Sequence, residues 1–277
     1  MTGPRSGPDP PATAVDEGGA AVIGTLPRMK RRGILLIAGV VVAALLAVGV
    51  LTFPLPYVVL QPGPTVDTLG SRDGKEVITV TGTPASVSAG QLRLTTIQVR
   101  SDISFSQAFS SWFNGDDAVA PRDVVYPPGQ TTKEVQQVNT EAFQTSESSA
   151  VVVAKKKVGH PFEVAIDLDK IGGPSAGLMF TLGIIDKATP EDLTGGKIIA
   201  GTGTIDDAGT VGKIGGIPQK LVGAKHDGAQ IFLVPEGNCD EALKNAVPGL
   251  PMAKVATIDD ALTALKTFTS GGTPAPC

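Results

Sequence analysis

Two segments carry residue types suited to covalent chemistry. In Gly172-Gly173-Pro174-Ser175-Ala176-Gly177 a strand-like run ends in glycines, and Pro174 opens a helix at the position proline favours. Ser175 then falls in the first helical turn, where backbone N–H groups lack intrahelical partners. Such groups can hold a developing oxyanion beside a serine nucleophile. Ala176 and Gly177 are small enough to let other backbone come close. A serine that only starts a helix would look the same. In Ile214-Gly215-Gly216-Ile217-Pro218-Gln219-Lys220 glycines and a proline again open a helix, and a lysine lies in its first turn. The dipole disfavours a cation there. To act as a base near neutral pH a lysine must lose roughly 3 pKa units, ~4 kcal/mol, from its reference value. Burial and the helix N-terminus are the two means available. A surface lysine with its stem packed down is the alternative.

Taken together, the two segments resemble the proteolytic domain of the Lon family. A GPSAG serine lies 45 residues before a lysine that follows a KIGG turn. Between them, Leu193-Thr194-Gly195-Gly196 and Ala200-Gly201-Thr202-Gly203-Thr204 look like the segment that carries a threonine near the lysine in that family. The resemblance implies Ser175 as nucleophile, Lys220 as general base and Thr202 as hydroxyl partner of the amine, with Gly173, Pro174 and Ala176 supporting the turn. It is strong from about Phe162 to Leu265 and extends weakly back to Gln91–Val99 and Ser146–Lys157.

The elements that must position these residues alternate between strands and helices, which indicates an α/β or α+β domain. The resemblance narrows this to an α+β chain with an α/β-type Lon proteolytic fold. Glu76–Thr83, Gln91–Val99, Phe162–Leu168, Lys197–Gly201, Ile231–Val234 and Lys254–Ala256 read as strands. Ser104–Phe113, Pro174–Asp186, Pro218–Lys225, Glu236–Asn245 and Asp259–Lys266 read as helices. Thr131 and Glu134 form a capping box that opens a helix to about Lys157, with Val135, Val138, Ala142, Phe143, Ala150, Val151 and Ala154 on its apolar side. Asn114–Gln130 reads as loop and residues 269–277 as a flexible tail.

Ahead of these elements, residues 33–53 contain no charged side chain and follow Arg28, Lys30, Arg31 and Arg32. Twenty-one helical residues span roughly 30 Å, the hydrocarbon thickness of a bilayer. The charge asymmetry predicts a single transmembrane helix over 33–53, a disordered cytoplasmic tail over 1–32, and an extracytoplasmic domain over 57–268. A cleaved signal peptide is the competing reading, with a shorter apolar core expected and no convincing small-x-small site before Pro54. With this anchor, PYVVLQPGPT, GGPSAGLMFTLGIID and FLVPEGNCDEA resemble bacterial membrane-anchored Lon-like proteases that also carry a PDZ domain. Such a domain would fall near residues 158–161, where only Val158-Gly159-His160-Pro161 joins helix to strand. Gly172 departs from the acid many ATP-dependent members carry three residues before the serine.

The implied activity is an ATP-independent Ser–Lys endopeptidase acting on unfolded or exported polypeptides. A catalytically silent membrane-tethered scaffold is the alternative. The resemblance also implies a ring-like homo-oligomer. No GxxxxGK motif followed by Ser or Thr occurs in these 277 residues, so no ATP is expected. No cofactor or metal is expected, since His160 and His226 are the two histidines. A net charge of −4 argues against nucleic acid. Cys239 and Cys277 either pair or leave a loose terminal thiol; Asp206-Asp207 reads as a solvated turn, and Trp112 as core or loop packing.

Overall fold

The computed structural model describes residues 31–52, 55–83, 87–168 and 173–277. The chain divides into two compact units, Met1–Gly49 and Val50–Cys277. Helix α1 (Arg31–Thr52) runs 22 residues, ~33 Å, and its apolar side chains are exposed. That form suits a membrane span and equally a signal sequence, because water would solvate neither well. Most of the tail 1–32 and Phe53 lie outside the described residues.

The second unit holds fourteen strands among its described residues: β1 (Tyr57–Pro62), β2 (Val66–Asp67), β3 (Ser71–Arg72), β4 (Lys75–Glu76), β5 (Ile78–Thr81), β6 (Gln91–Leu94), β7 (Ile97–Arg100), β8 (Ala118–Pro121), β9 (Glu163–Ile166), β10 (Ile198–Gly201), β11 (Thr204–Ile205), β12 (Val211–Gly212), β13 (Ile231–Pro235) and β14 (Met252–Val255). Its helices are α2 (Phe105–Phe113), α3 (Thr132–Val158), α4 (Gly177–Ala188), α5 (Ile217–His226), α6 (Cys239–Lys244) and α7 (Ile258–Thr269). The main sheet has the order β14-β13-β10-β6-β2, parallel except for β2. A second, antiparallel sheet has the order β7-β1-β8, and β5 pairs with β9. The result is mixed, α+β architecture, as the alternation of elements predicts.

Helix α4 is the centre of the core. Eleven of its twelve residues are buried, so it is apolar nearly all round, as a helix covered on every side must be. It packs on α3 and α7 and against β5, β6 and β11. Phe180 on α4 meets Phe143 on α3 edge to face, ring centroids 5.6 Å apart. The capping box of α3 is present, with Thr131 Oγ1 accepting from the Glu134 amide and the Glu134 carboxylate accepting from the Thr131 amide.

Several expectations are corrected. Gln91–Val99 is two strands in two sheets: β6 lies in the main sheet and β7 in the smaller one. Glu76–Thr83 likewise breaks, into the end of the β3–β4 hairpin and β5. Asn114–Gln130 contains β8, which pairs with β1. Val138 on α3 faces outward rather than into the core. Trp112 is exposed and packs into no core. The tail 269–277 is tied down: the Lys254 amide donates to the Ala275 carbonyl at 2.9 Å, Pro276 bridges Ala253, and Cys277 forms a disulfide with Cys239. At residues 158–161 α3 closes on Gly159 in the left-handed conformation and the chain passes directly into β9.

The disulfide closes a separation of 38 residues around the edge of the main sheet. Chain-entropy arguments give such a closure about 4 kcal/mol. Reduction, or Cys277→Ser, is expected to lower the thermal midpoint by several degrees and release the C-terminal segment; a midpoint unchanged by reductant in a calorimetric scan would contradict this.

Candidate active site

Ser175 sits in a 3-10 turn, Pro174–Ala176, that runs into α4. Gly173 precedes it with φ +92°, a conformation that costs an L side chain but not glycine. Helix α3 holds both flanks of this turn. The Gly173 amide donates to the Asn139 carbonyl at 2.9 Å, and Ser146 Oγ donates to the Pro174 carbonyl at 2.8 Å. Gly177 allows the approach, for a Cβ there would lie 2.5 Å from Ser146 Oγ and 2.9 Å from Ile205. The amides of Ser175 and Ala176 lie in the first turn, where no helical carbonyl precedes them. Ser175 itself is half-buried.

The segment after β10 laces onto the same turn. The Gly203 amide donates to the Ser175 carbonyl at 3.0 Å, and the Leu178 amide donates to the Gly203 carbonyl at 3.1 Å. Thr202 Oγ1 also donates to the Ser175 carbonyl, at 3.1 Å. Thr202 is fully buried. Its position is fixed from the other side by the main sheet, where its amide donates to the Leu233 carbonyl.

Lys220 occupies the first turn of α5 and its amide donates to the Gly216 carbonyl. It is 3% exposed. Its ammonium donates to Thr202 Oγ1 at 2.9 Å. Burial pulls the amine from its ordinary 10.5 down to about 7. Its place at the start of α5 is also the end of a helix where the dipole disfavours a cation. The turn before α5 is held by Asn238, buried at the end of the turn that follows β13. Asn238 Oδ1 accepts from the Ile214 amide and Nδ2 donates to the Ile214 carbonyl, both at 2.9 Å.

The structure therefore brings Ser175, Thr202 and Lys220 into one hydrogen-bonded chain, with Gly173, Pro174 and Ala176 forming the turn beneath the serine. Among the described residues no hydrogen bond joins Ser175 Oγ to Lys220 Nζ; the link runs through Thr202 and the Ser175 backbone. Gly172 lies outside the described residues. No group of three or more His, Cys, Asp or Glu placed to hold a metal occurs among the described residues. Asp206 and Asp207 serve the β11–β12 turn: Asp206 accepts from the Ala208 and Thr210 amides and Asp207 from Ser149. His226 is exposed, 3.9 Å from the Asp116 carboxylate.

Sequence reasoning missed Ser146, Asn139 and Asn238. Ser146 left a trace, as a polar residue between Phe143 and Ala150 on the buried side of α3. Asn238 left a weaker one, as a capping-type residue just before α6. The Asn139 carbonyl leaves none, since any residue supplies a carbonyl.

Residues 140–266 match the family model described as the Lon protease (S16) C-terminal proteolytic domain. A Lon protease of Buchnera aphidicola is 34% identical over 93 residues, 32% of this chain and 12% of that protein. One of Neorickettsia sennetsu is 34% identical over 110 residues, 38% of this chain and 12% of that protein. One of Lachnoclostridium phytofermentans is 34% identical over 96 residues, 32% and 11%. The chain spans about an eighth of the length of these relatives. Residues 140–266 are thus similar to the proteolytic domain of Lon proteases.

Proposed function

We propose that this chain is a membrane-anchored, ATP-independent serine endopeptidase in which Ser175 is the nucleophile and Lys220 the general base. The observation that carries the reading is a buried lysine with no carboxylate partner among the described residues, its amine pulled to about 7 and hydrogen-bonded to a threonine that is in turn bonded to the Ser175 backbone. A neutral amine can accept a proton; an exposed lysine at neutral pH cannot. Ser175 Oγ attacks the scissile carbonyl carbon and its proton passes to Lys220 Nζ. The Ser175 and Ala176 amides hold the resulting oxyanion. Collapse breaks the C–N bond, Lys220 returns the proton to the leaving amine, and water hydrolyses the acyl-enzyme. Thr202 spends its own proton on the Ser175 carbonyl, so its lone pair faces the amine and aims it.

The placement outside the cytoplasm rests on three supports. α1 is long and apolar enough to span, cations precede it, and the Cys239–Cys277 disulfide suits an oxidising compartment. Unfolded or exported polypeptides are the substrates such a placement offers. A tethered scaffold without chemistry draws on one observation, the lack of a direct Ser175–Lys220 hydrogen bond. Catalytic hydrogen bonds often tighten only with substrate bound, which favours the enzyme.

Ser175→Ala and Lys220→Met are each expected to abolish cleavage of an unfolded protein by the membrane-reconstituted chain; equal cleavage by wild type and both variants would sink the dyad. The rate should rise with pH around a midpoint near 7 as Lys220 loses its proton. A flat profile from pH ~5 to ~9 would contradict the base assignment. Lys220→Met should also raise stability. The unfolded chain binds a proton that the folded chain sheds between about 7 and 10.5, so folding stability rises with pH across that window and the buried charge costs up to about 5 kcal/mol below it. The stabilisation by Met should therefore be largest at and below pH ~7 and fade toward ~10, read as the difference in denaturation midpoints. Thr202→Val should cut turnover by about tenfold or more while Thr202→Ser retains most of it; equal loss in both would show that the hydroxyl is not what matters.

A further inference from the structure

Helix α2 (Phe105–Phe113) has no buried residue. Ser104 caps it and Gln107 completes a capping box, so the helix is well started despite its nine residues. Phe105, Phe109, Trp112 and Phe113 fall at i, i+4, i+7 and i+8, one face of a helix. Trp112 and Phe113 are each 73% exposed, and Phe105 and Phe109 are also exposed. The rings touch one another, Phe105–Phe109 centroids 6.1 Å apart and Phe109–Phe113 centroids 5.0 Å apart. Among the described residues nothing covers this apolar face. Soluble surfaces rarely leave such a face uncovered.

What covers it is indicated by where the chain comes from. Leu55 is the third residue beyond the last residue of α1, and three residues reach at most ~11 Å. The Leu55 amide donates to the Ile103 carbonyl at 3.1 Å, next to the Ser104 cap of α2. The Arg122 amide donates to the Pro56 carbonyl at 3.0 Å, which ties down the turn carrying exposed Val124. Tyr57, the next residue, is exposed too. The exposed aromatic and aliphatic side chains are thus held within a few residues of the point where a spanning helix would leave the bilayer. Tryptophan and tyrosine concentrate at that level of a membrane, and a short helix with an aromatic face lies in the interface.

We propose that α2 is an interfacial helix that lays Phe105, Phe109, Trp112 and Phe113 into the outer leaflet beside the span, fixing how the proteolytic domain sits on the membrane. This rests on α1 being a membrane span. The helix carries no charge, and its remaining residues are serine, glutamine and alanine. Its attachment is therefore driven by apolar burial and does not depend on anionic lipid.

Trp112 is the only tryptophan in the chain and reports on the helix directly. The full chain is reconstituted into phosphatidylcholine vesicles, and its fluorescence is recorded with lipids spin-labelled at shallow or deep acyl positions and with aqueous iodide. The expected result is quenching about twofold stronger from shallow than from deep labels, little quenching by iodide, and no change on adding anionic lipid. The exposed double variant Phe109→Glu, Phe113→Glu should lose the lipid quenching and gain iodide quenching. Protein that stays with the vesicles through an alkaline wash, yet keeps Trp112 open to iodide and blind to spin-labelled lipid, overturns the inference alone. Trp112 shielded from iodide but blind to the lipid label assigns the face to a second copy or another protein and overturns it too. Protein that washes off the vesicles overturns the span and the interfacial helix together.

Discussion

The site depends on an amine kept out of water, with no carboxylate paired to it among the described residues. Burial of that kind penalises the ammonium and leaves the neutral form accessible near pH 7. A carboxylate next to Lys220 would undo the arrangement by stabilising the charged form. A neutral hydroxyl, Thr202, gives the amine a partner without that penalty. Most of what surrounds the site can be understood as the means of bringing this lysine, this threonine and a serine-bearing turn together without admitting water.

Three segments distant in sequence converge to do so. The serine turn is set by glycine and proline locally, and α3 then holds it through the Asn139 carbonyl and Ser146. The threonine comes from the end of β10, a strand that runs between β13 and β6 in the middle of the main sheet. The lysine comes from α5, whose entry loop is held by Asn238 from beyond β13. Close backbone approach at Gly177 is the steric condition for the first two to meet. The three groups are thus set on or beside regular elements of the domain, which is the placement the proposed chemistry requires.

Much of this was legible in the sequence, for a physical reason. The local signals at Gly173-Pro174-Ser175 and at Gly216-Ile217-Pro218 arise from backbone constraints that glycine and proline impose on their own neighbours. Helix α3 is legible from an equally local signal, the reciprocal hydrogen bonds of Thr131 and Glu134 at its start. What escaped was set by distant contacts. Gln91–Val99 alternates as one strand, yet β6 and β7 pair with partners in different sheets. β8 in a Pro- and Gly-bearing stretch forms because β1 is there to pair with it. The C-terminal segment looks loose by composition but is fastened by a disulfide and a sheet contact. The exposure of Trp112 leaves no trace in composition, because aromatics are usually inside and composition does not reveal a face left open.

The proposed chemistry turns on the protonation state of Lys220. Its side-chain amine and adjacent methylene carbon can be titrated directly by NMR in selectively labelled Ser175→Ala protein, where no turnover intervenes. A midpoint near 7 is predicted for this lysine. A midpoint near 10.5 would show an amine that stays charged at neutral pH and would contradict its role as the base.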